Sequence, residues 1–203
     1  MGEAGLEWLG DCDRVNGLGL SLTRKIVAGG RDHTRAGLYL SHSASFGRSG
    51  AVVGRFEVLD QRFDGGSGAD GTRARLVGQY RQAVSARLQW RVSAEAETLS
   101  AKAAPESFDR VQMAAGLTCG FDRGLILGLD LTRAQVRYDG LSPLFGTARR
   151  NDITTIGTQI HNRNLKLRGF APVQELSHEV GRSSIEVYGY DNTTLSLGLT
   201  RAF

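Results

Sequence analysis

The terminal run Asn192-Thr-Thr-Leu-Ser-Leu-Gly-Leu-Thr-Arg-Ala-Phe203 restricts the fold more than any other stretch. Leu195, Leu197, Leu199 and Phe203 fall on one face of an extended chain, and Thr194, Ser196, Gly198, Thr200 and Ala202 on the other. That is period-two alternation, the signature of a strand with one apolar and one polar face. A half-buried strand of a soluble protein alternates in the same way but rarely stops on an aromatic residue with no polar tail. Strands of outer-membrane barrels do so routinely, with apolar residues toward lipid and an aromatic at the interface.

The rest of the chain has the same rhythm. About eleven strand-like segments are separated by breaks that are alternately tight and long. The tight ones fall at 11–13, 47–50, 82–85, 122–124 and 162–164, and the longer ones at 28–32, 64–71, 101–107, 139–150 and 181–184. Short turns at one end and long loops at the other are the asymmetry of a bacterial membrane barrel. No run approaches the roughly 18 apolar residues of a transmembrane helix, so a membrane, if crossed, is crossed by strands. With 27 glycines in 203 residues and a mean hydropathy of −0.23, alternating strands fit the composition better than one-sided helices. The reading is an all-β, antiparallel, up-and-down transmembrane barrel that occupies residues 1–203 as one domain.

The clearest strand runs from Ala86 to Glu97, with Leu88, Trp90 and Val92 against Arg87, Gln89, Arg91, Glu95 and Glu97. Its predecessor sets Ala74, Leu76 and Tyr80 against Arg73, Arg75 and Arg81. Pairing the two about a turn at 82–85 places Arg73 opposite Glu95, and the next hairpin brings Glu97 near Arg110. A charged lumen accounts for this face, and the solvated outside of a soluble sandwich is the alternative. Phe46, Tyr80, Phe121 and Phe203 fall at the short-turn ends of the apolar face, as an interfacial girdle requires. His42 interrupts that face, and Thr155 to His161 alternates poorly, so a register slip or bulge is expected there.

A more specific pattern occupies the C-terminal quarter. Arg149-Arg150-Asn151-Asp152 opens a strand, followed by Gly169-Phe170-Ala-Pro172, Ser183-Ser184, Tyr188-Gly-Tyr190 and the final Phe203. This resembles the C-terminal barrel of the surface lipoprotein assembly modifier family. In that family's pattern the matching residues here are Arg150, Asp152, Gly169, Phe170, Pro172, Ser183, Tyr188, Tyr190 and Phe203. Two departures stand out: Asn151 splits the Arg/Asp pair, and Ser184 replaces a frequent Asn. The resemblance implies a protein of the Gram-negative outer membrane that helps lipoproteins reach the cell surface. It further implies partners in the lipid bilayer, a client surface lipoprotein and, through the C-terminal strand, the barrel assembly machinery. It implies no cofactor. Gly169 and Pro172 together mark a bulge, bend or opening of the wall.

Met1-Gly-Glu-Ala-Gly-Leu lacks the basic and apolar regions of a secretory signal. Counting strands back from Phe203 gives an odd number, whereas single-chain bacterial barrels have an even one. The expectation is therefore the C-terminal part of a larger, N-terminally truncated barrel, with the strand near Leu6 and Trp8 at one edge and the strand ending at Phe203 at the other.

Other function classes find little in the residues. The net charge of +4 is scattered and makes no basic stripe for nucleic acid. His33, His42, His161 and His178 stand in no hydrolase or metal motif, and Cys12 and Cys119 have no metal-ligand spacing. The functions that remain are an assembly or translocation factor for lipoproteins, a porin-like channel and an outer-membrane enzyme.

Overall fold

A computed structural model describes residues 2–10, 13–26, 33–165 and 170–200. It contains eleven strands: β1 (Gly2–Leu9), β2 (Arg14–Lys25), β3 (His33–Phe46), β4 (Gly50–Phe63), β5 (Gly71–Ala83), β6 (Leu88–Ala101), β7 (Phe108–Gly120), β8 (Leu125–Leu141), β9 (Ala148–Asn162), β10 (Ala171–Ser183) and β11 (Tyr190–Thr200). They form one antiparallel up-and-down sheet in sequence order. No ladder joins β1 to β11 among the described residues, so the sheet is open, with these two strands at its edges. Its fold is all-β and barrel-like, as the alternation leads one to expect.

Alternation assigns the faces correctly along the whole sheet. Leu6, Leu18, Leu40, Phe56, Leu76 and Ala96 are successive cross-strand partners from β1 to β6, and Ala96 then partners Val111 of β7. The apolar face is the exposed one: Leu195, Leu197 and Leu199 are 58%, 77% and 66% accessible. Among the described residues, the buried strand positions that carry side chains lie on the opposite, polar face, with Ala44 the exception. A soluble sandwich, the alternative reading, buries its apolar face and solvates its charges. This sheet does the reverse.

Three expectations change. First, the β5–β6 turn lies at 84–87, not 82–85, so Arg73 partners Leu99 and not Glu95. A turn centre displaced by two residues displaces the register by four, an even number, and the faces survive. Arg87 consequently sits in the turn, where it pairs with Asp122 at 2.8 Å, and is not part of the strand face. Second, β9 runs through Thr155–His161 with unbroken pairing on both sides, while the irregularity lies in β8, between Arg137 and Leu141. Ile156 and Ile160 point outward there, as expected. Third, Val173 of β10 lies opposite His161 of β9, which centres their hairpin near residue 167 and not at 162–164.

The long loops are tied to one another. Asp70, in the β4–β5 loop, accepts the Phe63 N–H at 2.8 Å, the Ser67 N–H at 3.2 Å and the Lys102 ammonium at 3.0 Å from the β6–β7 loop. The Phe63 amide first, and the hydrogen bond from Lys102 second, hold its pKa down to about 2. A depressed carboxylate pKa stabilises the folded loop above the ordinary value near 3.8, and the contribution is lost as pH falls through about 2. Amide exchange at Phe63 and Ser67 should therefore stay slow at pH 4 and quicken in Asp70→Asn. Equal rates in variant and parent would remove the staple from the account.

Candidate functional site

The centre of the polar face is a network of ion pairs spread over β3 to β7. Register brings arginines and glutamates close, and the two shortest of these pairs form along diagonals, within reach of such long side chains. Arg73 meets Glu97 at 2.6 Å and Arg75 meets Glu95 at 2.7 Å, although the direct partners are Arg75 with Glu97 and Val77 with Glu95. Arg75 also approaches Glu57 at 3.5 Å, and Arg55 lies 3.3 Å from the same carboxylate with its guanidinium 4.1 Å above the Tyr39 ring. Arg35 Nε donates to Gln61 Oε1 at 2.7 Å, whose amide donates in turn to the Ala69 carbonyl at 3.2 Å. Glu97 partners Arg110 directly, as the sequence suggests, and Arg110 donates to Gln112.

Burial makes these pairs matter. The Glu97 side chain is 1% exposed and that of Arg73 17%, and a carboxylate so enclosed requires a counter-charge with hydrogen bonds. Arg91 finds its partner, Asp130 at 2.6 Å, by reaching across β7. Gly116 permits this, because a Cβ there would stand 2.3 Å from Asp130 Oδ1 and 2.7 Å from Arg91 Nε. Arg81 is exposed and directly opposite Arg91, with no ion pair among the described residues.

The polar face changes character toward β10. Glu175 accepts from Gln159 at 2.7 Å, and Glu179 from Thr155 at 2.8 Å and the Tyr190 hydroxyl at 2.6 Å. Neutral donors serve these carboxylates, so their charge stays. Above them a stacked cluster closes the long-loop end: the Arg149 guanidinium lies 3.7 Å from the Tyr138 ring centre and 4.6 Å from that of Tyr188, with Phe145 edge-on to Tyr188 at 6.2 Å.

The residues of the C-terminal motif are spread along this end of the sheet. Arg150 and Asp152 lie on the outward face of β9, and Asp152 accepts from Gln135 at 2.9 Å. Pro172 partners Leu199, and Ser183 ends β10, where its hydroxyl accepts the Ile185 amide at 3.2 Å. Tyr188 lies in a short 3-10 turn and Tyr190 opens β11 opposite Gly181. Phe170 makes an isolated bridge before β10. Gly169 and Phe203, like Cys12, lie outside the described residues. Of the girdle aromatics, Phe46 is 56% and Phe121 50% exposed, while Tyr80 packs on Trp90 with ring centres 5.2 Å apart. Sequence reading missed Arg35, Arg55, Glu57, Asp130 and the Arg149 stack; strand alternation extended to β3, β4 and β8 would have placed all but the stack on the polar face.

His33 and His42 stand nine residues apart on β3, His161 on β9 and His178 on β10, with His42 bonded to Asn16 at 2.7 Å and His178 to Thr193 at 2.9 Å. Among the described residues no group of three metal-ligating side chains converges.

No curated protein and no solved structure matches the chain. The model of one family does, over residues 21–203, which takes in every strand from β3 to β11 and the whole ion-pair network. The chain belongs to the surface lipoprotein assembly modifier family.

Proposed function

We propose that this chain forms barrel wall in the outer membrane of a Gram-negative bacterium and assists the passage or display of lipoproteins at the cell surface. The observation that carries the reading is the inverted burial: an exposed leucine-rich face and an enclosed face of charges. Only a hydrocarbon environment stabilises that arrangement without covering the leucines. Family membership supplies the lipoprotein as client. The strands that cross the bilayer satisfy their backbones through the ladders, and β11, the exposed terminal strand, is the segment we assign to recognition by the barrel assembly machinery. The polar face serves as a charged conduit wall and takes part through its field, not through covalent chemistry.

Loss of the protein should remove its client lipoprotein from the surface of intact cells, read by protease shaving, while total lipoprotein stays constant. Undiminished surface exposure would overturn the role. In planar bilayers the purified protein should give small or flickering currents, and large steady channels would favour a diffusion porin instead.

Two substitutions test the wall itself. Trp90→Arg, on the exposed face, should cost about 2–4 kcal/mol if position 90 lies near the bilayer midplane, measured by reversible urea unfolding into vesicles. A spin label at position 90 relaxed by aqueous reagent and not by oxygen would reverse the face assignment. Glu97→Ala leaves Arg73 enclosed without its carboxylate and should cost about 3–5 kcal/mol, whereas the exposed Arg81→Ala should change stability little.

A further inference from the structure

The outward face of β8 divides at one point. Leu127, Leu129 and Leu131 stand on the side of the tight turns, and Arg133, Gln135 and Arg137 on the side of the long loops. The neighbouring strands add Arg150 on β9 and Arg182 on β10, both exposed and both on that outward face. Arg137 and Arg150 are direct cross-strand partners, at the last regular pair before the β8 irregularity. Like charges so placed repel, and a sheet tolerates them when something else neutralises them. The chain does not: the guanidinium groups of Arg137, Arg150 and Arg182 make no ion pair or hydrogen bond among the described residues. Asp109, opposite Arg137, is not within ion-pair distance, and Asp152 is engaged by Gln135 at 2.9 Å and Arg133 at 3.8 Å. Asp191, opposite Val180 on the same face, lies 3.6 Å from His178, so no carboxylate among the described residues pairs with Arg137, Arg150 or Arg182.

A second feature leads into the same patch. Gly54, Gly78, Ala94, Met113 and Arg133 are successive partners across β4 to β8. Gly54 is four residues from the tight-turn end of β4 and Arg133 eight from that of β8, so the row climbs toward the long loops. Along it runs an apolar trough of about 650 Å³ lined by Val52, Val92, Ala94, Met113 and Leu131 that ends on Arg133. A Cβ at Gly78 would meet nothing within 4 Å, so neither packing nor backbone requires glycine there. What the glycine does is keep the trough open. Four interstrand spacings make it about 19 Å long, comparable with the roughly 15 Å of one leaflet.

We propose that this surface binds a phosphorylated glycolipid of the external leaflet, its phosphates between Arg137, Arg150 and Arg182 and one acyl chain in the trough below Arg133. The proposal rests on the membrane reading above and adds to it a lipid of defined chemistry at a defined place. Anionic headgroups are the natural partners of arginines set just beyond an apolar band, where each contact is made at a low-dielectric boundary.

The test is native mass spectrometry of the purified chain in neutral detergent, offered bisphosphorylated lipid A, dephosphorylated lipid A or inorganic phosphate. Bisphosphorylated lipid A should bind, and Arg137→Gln/Arg150→Gln should weaken it about tenfold or more. Arg137→Lys/Arg150→Lys should retain most of the binding. Arg48→Gln/Arg123→Gln, which removes the same charge at the tight-turn end, should leave it intact, and Gly78→Leu should reduce it without a change of charge. Equal binding of the dephosphorylated lipid, equal loss in the tight-turn control, or capture of inorganic phosphate in place of lipid would overturn the site. Insertion into vesicles, followed in parallel by heat modifiability, separates the two levels. A chain that inserts but ignores the phosphates refutes the lipid site alone, and a chain that never inserts refutes the membrane reading and the site with it.

Discussion

The carboxylate of Glu97 is almost wholly enclosed, and the guanidinium of Arg73 at 2.6 Å makes that possible. A single charge so placed without a partner costs several kcal/mol, comparable with the whole stability of a small domain. The remainder of the polar face follows from the same constraint. Arg75 is shared between Glu95 and Glu57, Arg55 takes the other side of Glu57, and Arg35 is held by an uncharged Gln61. With the charges committed inward, the leucines have only the outer face left. The outward apolar face is thus a consequence of the inward network as much as of the leucines.

Strand count, strand order and face assignment were legible because each depends on period two alone, and a period is insensitive to where a turn begins. Register was not. The Ala83-Val-Ser-Ala86 region holds a single polar residue, Ser85, and the choice between 82–85 and 84–87 rests on which amides its hydroxyl bonds. Ser85 decides it here, since its hydroxyl accepts the amides of Arg87 and Leu88 at 3.2 and 3.1 Å. Arg73 consequently slides from Glu95 to the neighbourhood of Glu97, yet every residue keeps its face. The pairs that alternation predicted as a class formed with other members.

The irregularity in β8 falls where the sequence reads as the start of a long loop. Thr155–His161 drew suspicion through weak alternation, but those residues pair regularly because both neighbouring strands hold them. Between Arg137 and Leu141 the sequence Arg-Tyr-Asp-Gly-Leu runs into the break read at 139–150, and β8 continues through it to Leu141 with a contact from outside the strand. Gly140 there lies against the β6–β7 loop, where a Cβ would stand 2.4 Å from Pro105 N. Close approach of a loop is a tertiary fact, and only the glycine hints at it.

The polar face is unlike itself from one side of the sheet to the other. On β3 to β7 arginines outnumber the glutamates that pair with them, while on β10 Glu175 and Glu179 are held by Gln159, Thr155 and Tyr190, none of which carries a charge. Hydrogen bonds from neutral donors satisfy a carboxylate's geometry and leave its charge in place. Bent into a cylinder, such a sheet sets a cationic wall across from an acidic one, and the field between them points across the interior instead of along it. Gly116, by letting Arg91 reach Asp130 over β7, carries the ion pairing of this face as far as β8.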